Sequence, residues 1–235
     1  MRWNDVREPL TPAGESLSPE GNYVQEITSL AGLVAALVIG AVSPGPSFVL
    51  VAQTSISRSR RQGLAAALGM GLGGLAFAVA ALAGVQAALT AVPSVYAALK
   101  GLGGLYLAWL GIRIWRSARA PLAFDAPDRS HTIESGTGRA FALGLSTQLS
   151  NPKTAIVYAS VFAAFLPADP SIAFRLALLA AVPVIESGWY GIVALSLSST
   201  GPRKAFLRFK TVLDRLAGGV MIGLGLRLAW SAGPT

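Results

Sequence analysis

Six apolar segments dominate this chain, each about 20 residues or longer, the length a helix needs to cross the hydrocarbon core of a bilayer. They run roughly Ile27–Ser57, Gly63–Leu89, Ser94–Trp115, Arg139–Leu166, Ile172–Ser198 and Thr211–Trp230. In lipid every backbone N–H and C=O needs an internal partner, and a lone extended segment has none to offer. The expectation is therefore an all-α, polytopic membrane protein with six transmembrane helices over residues 27–235.

Composition agrees. Apolar residues make up 53% of the chain and charged residues 13%, against about 25% charged in soluble domains. The net charge of +8 would point to nucleic acid in a soluble protein. Here the basic residues collect in loops between apolar segments, where the positive-inside rule accounts for them. The expected surroundings are a lipid bilayer, with no nucleic-acid partner. There is no cysteine, and the only histidine, His131, lies in a polar loop. Thiol chemistry, disulfides and a histidine-lined metal path are excluded, and no metal site or cofactor is expected.

Residues 1–26 are polar and acidic, with no basic stretch before the first apolar segment, and read as a disordered tail rather than a signal peptide. Orientation comes from the loops. Arg58, Arg60 and Arg61 follow the first apolar segment. Arg113, Arg116, Arg119, Arg129 and Arg139 surround the third loop, and Arg203, Lys204, Arg208, Lys210 and Arg215 the fifth. The alternate loops are short and nearly uncharged. This bias predicts both termini outside the cytoplasm.

Two apolar segments are interrupted near their middles. The first carries Ser43-Pro44-Gly45-Pro46-Ser47 and the fourth Ser150-Asn151-Pro152-Lys153-Thr154. Proline lacks an N–H and clashes with the carbonyl four residues back, so the carbonyls of Gly40, Val42 and Gln148 should be released. Pro46 and Pro152 each suit the first position of a new half-helix, and Asn151 is a favoured N-cap. The N–H groups of Ser47, Phe48, Lys153 and Thr154 should then face the break, and such helix N-termini bind anions. Matching breaks in two three-segment halves, about 27–116 and 139–231, predict two inverted repeats with the substrate site at their interface.

Two charges lie at membrane depth. Lys153 follows the second break, and Glu186 sits mid-way along the fifth segment. A charge at mid-bilayer costs about 2.5 kcal/mol or more, so both should face protein or water, and each is the other's expected partner. Glu186 is the candidate for exchanging a proton or holding a substrate ammonium, and Lys153 for holding a carboxylate. Arg113 and Arg227 read as interfacial anchors, and Trp109, Trp115, Trp189 and Trp230 supply candidate belt residues. Gly69-x-x-x-Gly73 and Gly219-x-x-x-Gly223 predict close helix packing.

Ser43-Pro44-Gly45-Pro46, Gly63-Leu64-Ala65-Ala66-Ala67-Leu68-Gly69, Leu105 through Arg113, and Asn151-Pro152-Lys153 together resemble the LysE/RhtB amino-acid exporters of bacterial cytoplasmic membranes. Glu186 ahead of Trp189-Tyr190 fits the same pattern. The resemblance covers about Gly32 to Trp230 and departs from the family in the long acidic tail. It implies export of amino acids or close derivatives, coupled to the proton gradient, from the cytoplasmic membrane; homo-oligomers are compatible with it. Ser43, Pro44, Gly45, Pro46, Ser47, Asn151, Pro152, Lys153 and Glu186 are the expected substrate-binding residues. A membrane-embedded enzyme would need a nucleophile–base pair or a metal at depth, and the segments hold neither. A non-transporting scaffold would tolerate paired apolar replacement of Lys153 and Glu186.

Overall fold

The computed structural model describes residues 19–91, 93–120, 136–198 and 200–231. Eight helices and no strand occur among the described residues: α1 Pro19–Val42, α2 Pro46–Ser57, α3 Arg60–Ala91, α4 Pro93–Ser117, α5 Thr137–Leu149, α6 Pro152–Phe165, α7 Ile172–Leu197 and α8 Thr200–Trp230. The two interrupted segments are the difference between six and eight, since the first becomes α1 and α2 and the fourth α5 and α6. By length and composition, the stretches Asn22–Val42, Arg60–Ala87 and Ile172–Leu197 can each cross a membrane alone. The half-helix α6 is apolar but short.

Two boundaries differ from the sequence reading. Residues 19–26, expected in the tail, form the first turns of α1. Glu26 holds them there, because its carboxylate accepts hydrogen bonds from the Ser171 backbone N–H and hydroxyl, both at 2.7 Å. Helix α8 begins at Thr200 rather than Thr211. Arg208, Lys210 and Arg215 are thus helical, and Lys210 is buried against Asp214 at 2.8 Å instead of standing in a loop. Arg129 and His131 lie outside the described residues.

Glycines set how closely the helices approach. A Cβ on Gly104 would lie 2.5 Å from the Ala229 nitrogen and 2.6 Å from the Gly225 carbonyl, and one on Gly111 would lie 2.6 Å from the Gly218 carbonyl. Helices α4 and α8 therefore touch backbone to backbone. Gly69 and Gly144 do the same for α3 and α5, and Gly71 brings α3 against Pro183 and Ser187 of α7. Gly69-x-x-x-Gly73 packs as expected, Gly73 against Gln148. The other predicted motif does not, because Gly223 faces open space and the close contacts of α8 run through Gly218 and Gly225.

The main apolar cluster is built from α1, α3, α4, α6, α7 and α8, with Leu33, Val161, Phe162, Leu178 and Val182 at its centre. A second cluster packs Phe48, Val51, Met70, Tyr190 and Val193 around α2, α3 and α7. Trp189 packs against this second cluster, and its buried indole N–H has no protein partner. Trp109, Trp115 and Trp230 are exposed, consistent with a belt role. Arg113 stacks its guanidinium 5.5 Å from the Trp109 ring centroid.

A candidate substrate site at the paired helix breaks

The two breaks meet. Gly45 caps α2 in an extended conformation, φ −158° and ψ −169°, and Pro46 opens the helix. Having no side chain, Gly45 leaves the first N–H groups of α2 without a side-chain cap. Across the gap, Asn151 caps α6 and Pro152 opens it. The Asn151 side-chain carbonyl accepts from the Lys153 backbone N–H at 3.0 Å. This corrects the expectation for Lys153, whose N–H is taken by the cap and does not face the break. The Gln148 carbonyl, expected to be free, accepts from the Asn151 N–H at 3.1 Å.

The Lys153 side chain reaches back to the first break. Its Nζ donates to the Ser43 carbonyl at 2.7 Å. In an unbroken helix that carbonyl would accept from the N–H of Ser47, which now belongs to the start of α2. The lysine thus replaces a lost backbone bond. Among the described residues, Lys153 and Glu186 form no ion pair within 4.0 Å. They share a cavity instead of a contact, which corrects the expected pairing.

Glu186 is held by neutral donors. The Tyr158 hydroxyl of α6 donates to Oε1 at 2.9 Å, and the Gln148 amide of α5 donates to Oε2 at 3.2 Å. Gln148 accepts in turn from the Ser47 hydroxyl at 2.7 Å, and Ser47 accepts from the Asn151 amide at 2.9 Å. A continuous chain therefore runs Asn151–Ser47–Gln148–Glu186–Tyr158 and ties both breaks to α7. Glycine makes room for it: a Cβ on Gly74 would lie 2.9 Å from Glu186 Cγ and 3.0 Å from the Tyr158 hydroxyl.

The cavity between these groups measures about 20 Å³ and is lined by Ser43, Gly45, Ser47, Asn151, Lys153 and Glu186, with Tyr158 and Tyr190 among their neighbours. Such a volume holds about one water molecule, and an amino acid, with several times the heavy atoms of water, does not fit. The Ser43 hydroxyl is buried on this wall with no protein partner, as a group awaiting a ligand or water would be. Of the residues expected from sequence, Ser43, Gly45, Ser47, Asn151, Lys153 and Glu186 line the cavity, while Pro44, Pro46 and Pro152 shape the breaks beside it. Gln148 and Tyr158 escaped the sequence reading as site residues, and Tyr190 entered it only as part of the pattern Glu186 ahead of Trp189-Tyr190. A glutamine inside an apolar segment was the available signal for the first.

Comparison with known proteins agrees with this architecture. Residues 38–232 match the family described as LysE type translocator. The threonine efflux protein of Salmonella typhi is 33% identical over 192 residues, 81% of this chain and 92% of that protein. That of Escherichia coli (strain K12) is 31% identical over 191 residues, with the same coverage. The uncharacterized membrane protein YahN of Escherichia coli (strain K12) is 28% identical over 197 residues, 84% of this chain and 87% of its own. No solved structure matches. Apolar helices broken at two facing prolines, a half-buried lysine and a buried glutamate on one cavity, and a match over most of the chain have one reading: this protein belongs to the LysE-type translocator family and is a membrane transporter, not an enzyme.

Proposed function

We propose that the protein exports small amino acids from the bacterial cytoplasm, with threonine as the first candidate substrate, and couples export to the proton gradient. One observation carries the reading. A half-buried cation and a buried anion, Lys153 and Glu186, line the same cavity without pairing. A zwitterion complements that arrangement. Its carboxylate would take the place of the Ser43 carbonyl on Lys153 and meet the uncapped N-terminus of α2. Its ammonium would take one oxygen of Glu186, displacing the Tyr158 or Gln148 donor. The threonine efflux relatives support the choice of substrate.

Opening falls to the breaks, where Pro44, Pro46 and Pro152 interrupt the run of helical hydrogen bonds. Glu186 is the proton carrier in this scheme, because it is the one buried carboxylate lining the cavity among the described residues. The repeats 27–116 and 139–231 rock about the shared site as inverted halves, α1–α2 answering α5–α6, α3 answering α7 and α4 answering α8. The facing glycines of α4 and α8 support that correspondence. The test is reconstitution in proteoliposomes preloaded with labelled L-threonine. Efflux should be driven by an imposed pH gradient and abolished by Glu186→Gln, with Glu186→Asp retaining part of it. Efflux indifferent to the pH gradient would remove proton coupling, and absence of threonine efflux alongside export of another amino acid would move the substrate.

A further inference from the structure

Hydroxyls in and at the ends of the helices share one habit. Those of Thr28, Ser55, Ser117, Ser146, Ser198 and Ser231 each donate to the backbone carbonyl three or four residues back, at distances between 2.8 and 3.2 Å. This is the ordinary way for such a hydroxyl to satisfy itself where water is scarce. Ser43, the residue after α1, departs from it. Its backbone N–H donates to the Ile39 carbonyl at 3.2 Å, and its carbonyl accepts from Lys153. Its hydroxyl has no protein partner, although the residue is only 2% exposed and lines the central cavity.

A zwitterion in the pose described above occupies the charged groups of that cavity. Lys153 and the start of α2 take its carboxylate, and Glu186 takes its ammonium. The rest of the wall decides the side chain. Leu37, Gly40, Ala41 and Val157 give it an apolar part. That part is tight, since a Cβ on Gly40 would lie 3.2 Å from Val157 Cγ1. The Ser47 and Tyr158 hydroxyls and the Asn151 amide are already bonded within the chain that leads to Glu186. Thr154 brings a further hydroxyl from a half-buried position. Glu186 is the one carboxylate among the lining residues, so a basic side chain would find no second acid there.

We propose that Ser43 is the residue that selects the substrate's side chain, its hydroxyl exchanging a hydrogen bond with a β-hydroxyl of the bound amino acid. Leu37, Ala41 and Val157 supply the apolar surface for the rest of a short side chain. The proposal rests on the export reading above and deepens it, from small amino acids to discrimination for those with a hydroxyl over their apolar isosteres. A serine hydroxyl is donor and acceptor at once, so it complements another hydroxyl in either sense. When an apolar isostere binds instead, the Ser43 hydroxyl stays buried without a partner. That penalty is how a site built to bond a hydroxyl rejects the analogue lacking it. A hydroxyl that costs stability in the substrate-free protein serves the ligand rather than the fold.

The test compares L-threonine with L-2-aminobutyrate, which lacks the hydroxyl, and with L-valine, which carries a methyl in its place. Binding is read as thermal stabilisation of the purified full chain, and efflux from proteoliposomes loaded with each amino acid. The native chain should bind threonine about tenfold more tightly than either analogue, the scale of one buried hydrogen bond left unmade. Ser43→Ala should bind all three alike, by losing affinity for threonine alone. Without ligand it should unfold at the native temperature or above, because alanine gives up no bond. Thr154→Val should keep the preference. Equal binding of the three by the native chain, or binding of none, overturns the assignment without any variant. So does a Ser43→Ala protein that weakens all three by the same factor, which would put the hydroxyl on the carboxylate, or one that unfolds well below the native temperature. Loss of the preference in Thr154→Val but not in Ser43→Ala overturns it as well. Efflux decides the export reading separately. A preference erased by Ser43→Ala with no efflux of any of the three removes export and leaves the assignment, whereas efflux with no preference removes the assignment alone.

Discussion

Lys153, the second residue of α6, donates its ammonium to the carbonyl of Ser43 at the break between α1 and α2, 2.7 Å away. The two breaks are locked to each other by this bond rather than by an ion pair. The lock suits a transporter, because a substrate carboxylate can compete for the lysine on equal chemical terms.

Lys153→Met removes a hydrogen bond from a charged donor and leaves the Ser43 carbonyl unpartnered. A bond of this type contributes about 1.5–3 kcal/mol, so thermal unfolding of the purified variant should occur at a lower temperature and efflux should be lost. Lys153→Met combined with Glu186→Gln buries no charge at the site and should recover protein yield without recovering efflux. Normal efflux from the double variant would reduce both residues to structural roles.

Gly45 separates steric from conformational effects. A Cβ there would lie 3.5 Å from Lys153 Cδ and Nζ, an ordinary contact. Gly45→Ala should therefore fold with near-native stability, while Gly45→Leu should fill the cavity and abolish efflux at matched expression. Pro152→Ala should also abolish efflux, by allowing α5 and α6 to join. Efflux at the native rate from Gly45→Leu would place the transport path elsewhere.

At the far end of α8, Lys210 is bound to Asp214 at 2.8 Å and donates to the carbonyls of Ala118 and Ala120 at 3.2 and 3.1 Å. Thr211 donates to Ala118 as well. This cluster fastens the C-terminal end of α4 to α8. Breaking a buried pair by removing one partner costs about 3–5 kcal/mol. Lys210→Met should lower the unfolding temperature more than Thr211→Val, and proteolysis after residue 117 should accelerate. An unchanged protease pattern would mean that the end of α4 is held by other contacts.

Orientation is open to a direct measurement. Ser59 lies between α2 and α3, and Asp169 is fully exposed between α6 and α7. The charge bias predicts that, in intact cells, a cysteine at Asp169 reacts with an impermeant maleimide and one at Ser59 does not. Labelling of Ser59→Cys alone would invert the topology.

Sequence alone determined the helices, the breaks and the place of the two charges along their segments. These properties are local: apolar length in lipid dictates helix, proline removes a particular hydrogen bond, and position along a segment gives depth at 1.5 Å per residue. Close packing by Gly69 and Gly73 was legible for the same reason, since small residues a turn apart mark one face. Tertiary structure decided which groups satisfy which. Lys153 and Glu186 were each assigned to the other because no better partner was visible in the chain, yet the fold gives Lys153 a backbone carbonyl 110 residues away and gives Glu186 a tyrosine and a glutamine. Lys210 counted as a loop charge until α8 proved to start eleven residues earlier and Asp214 to lie one turn on. Partner choice at membrane depth depends on which helix faces meet. That is set by glycine contacts between segments far apart in the chain, such as Gly104 with Gly225 and Gly74 with Glu186, and by nothing in the periodicity of any one segment.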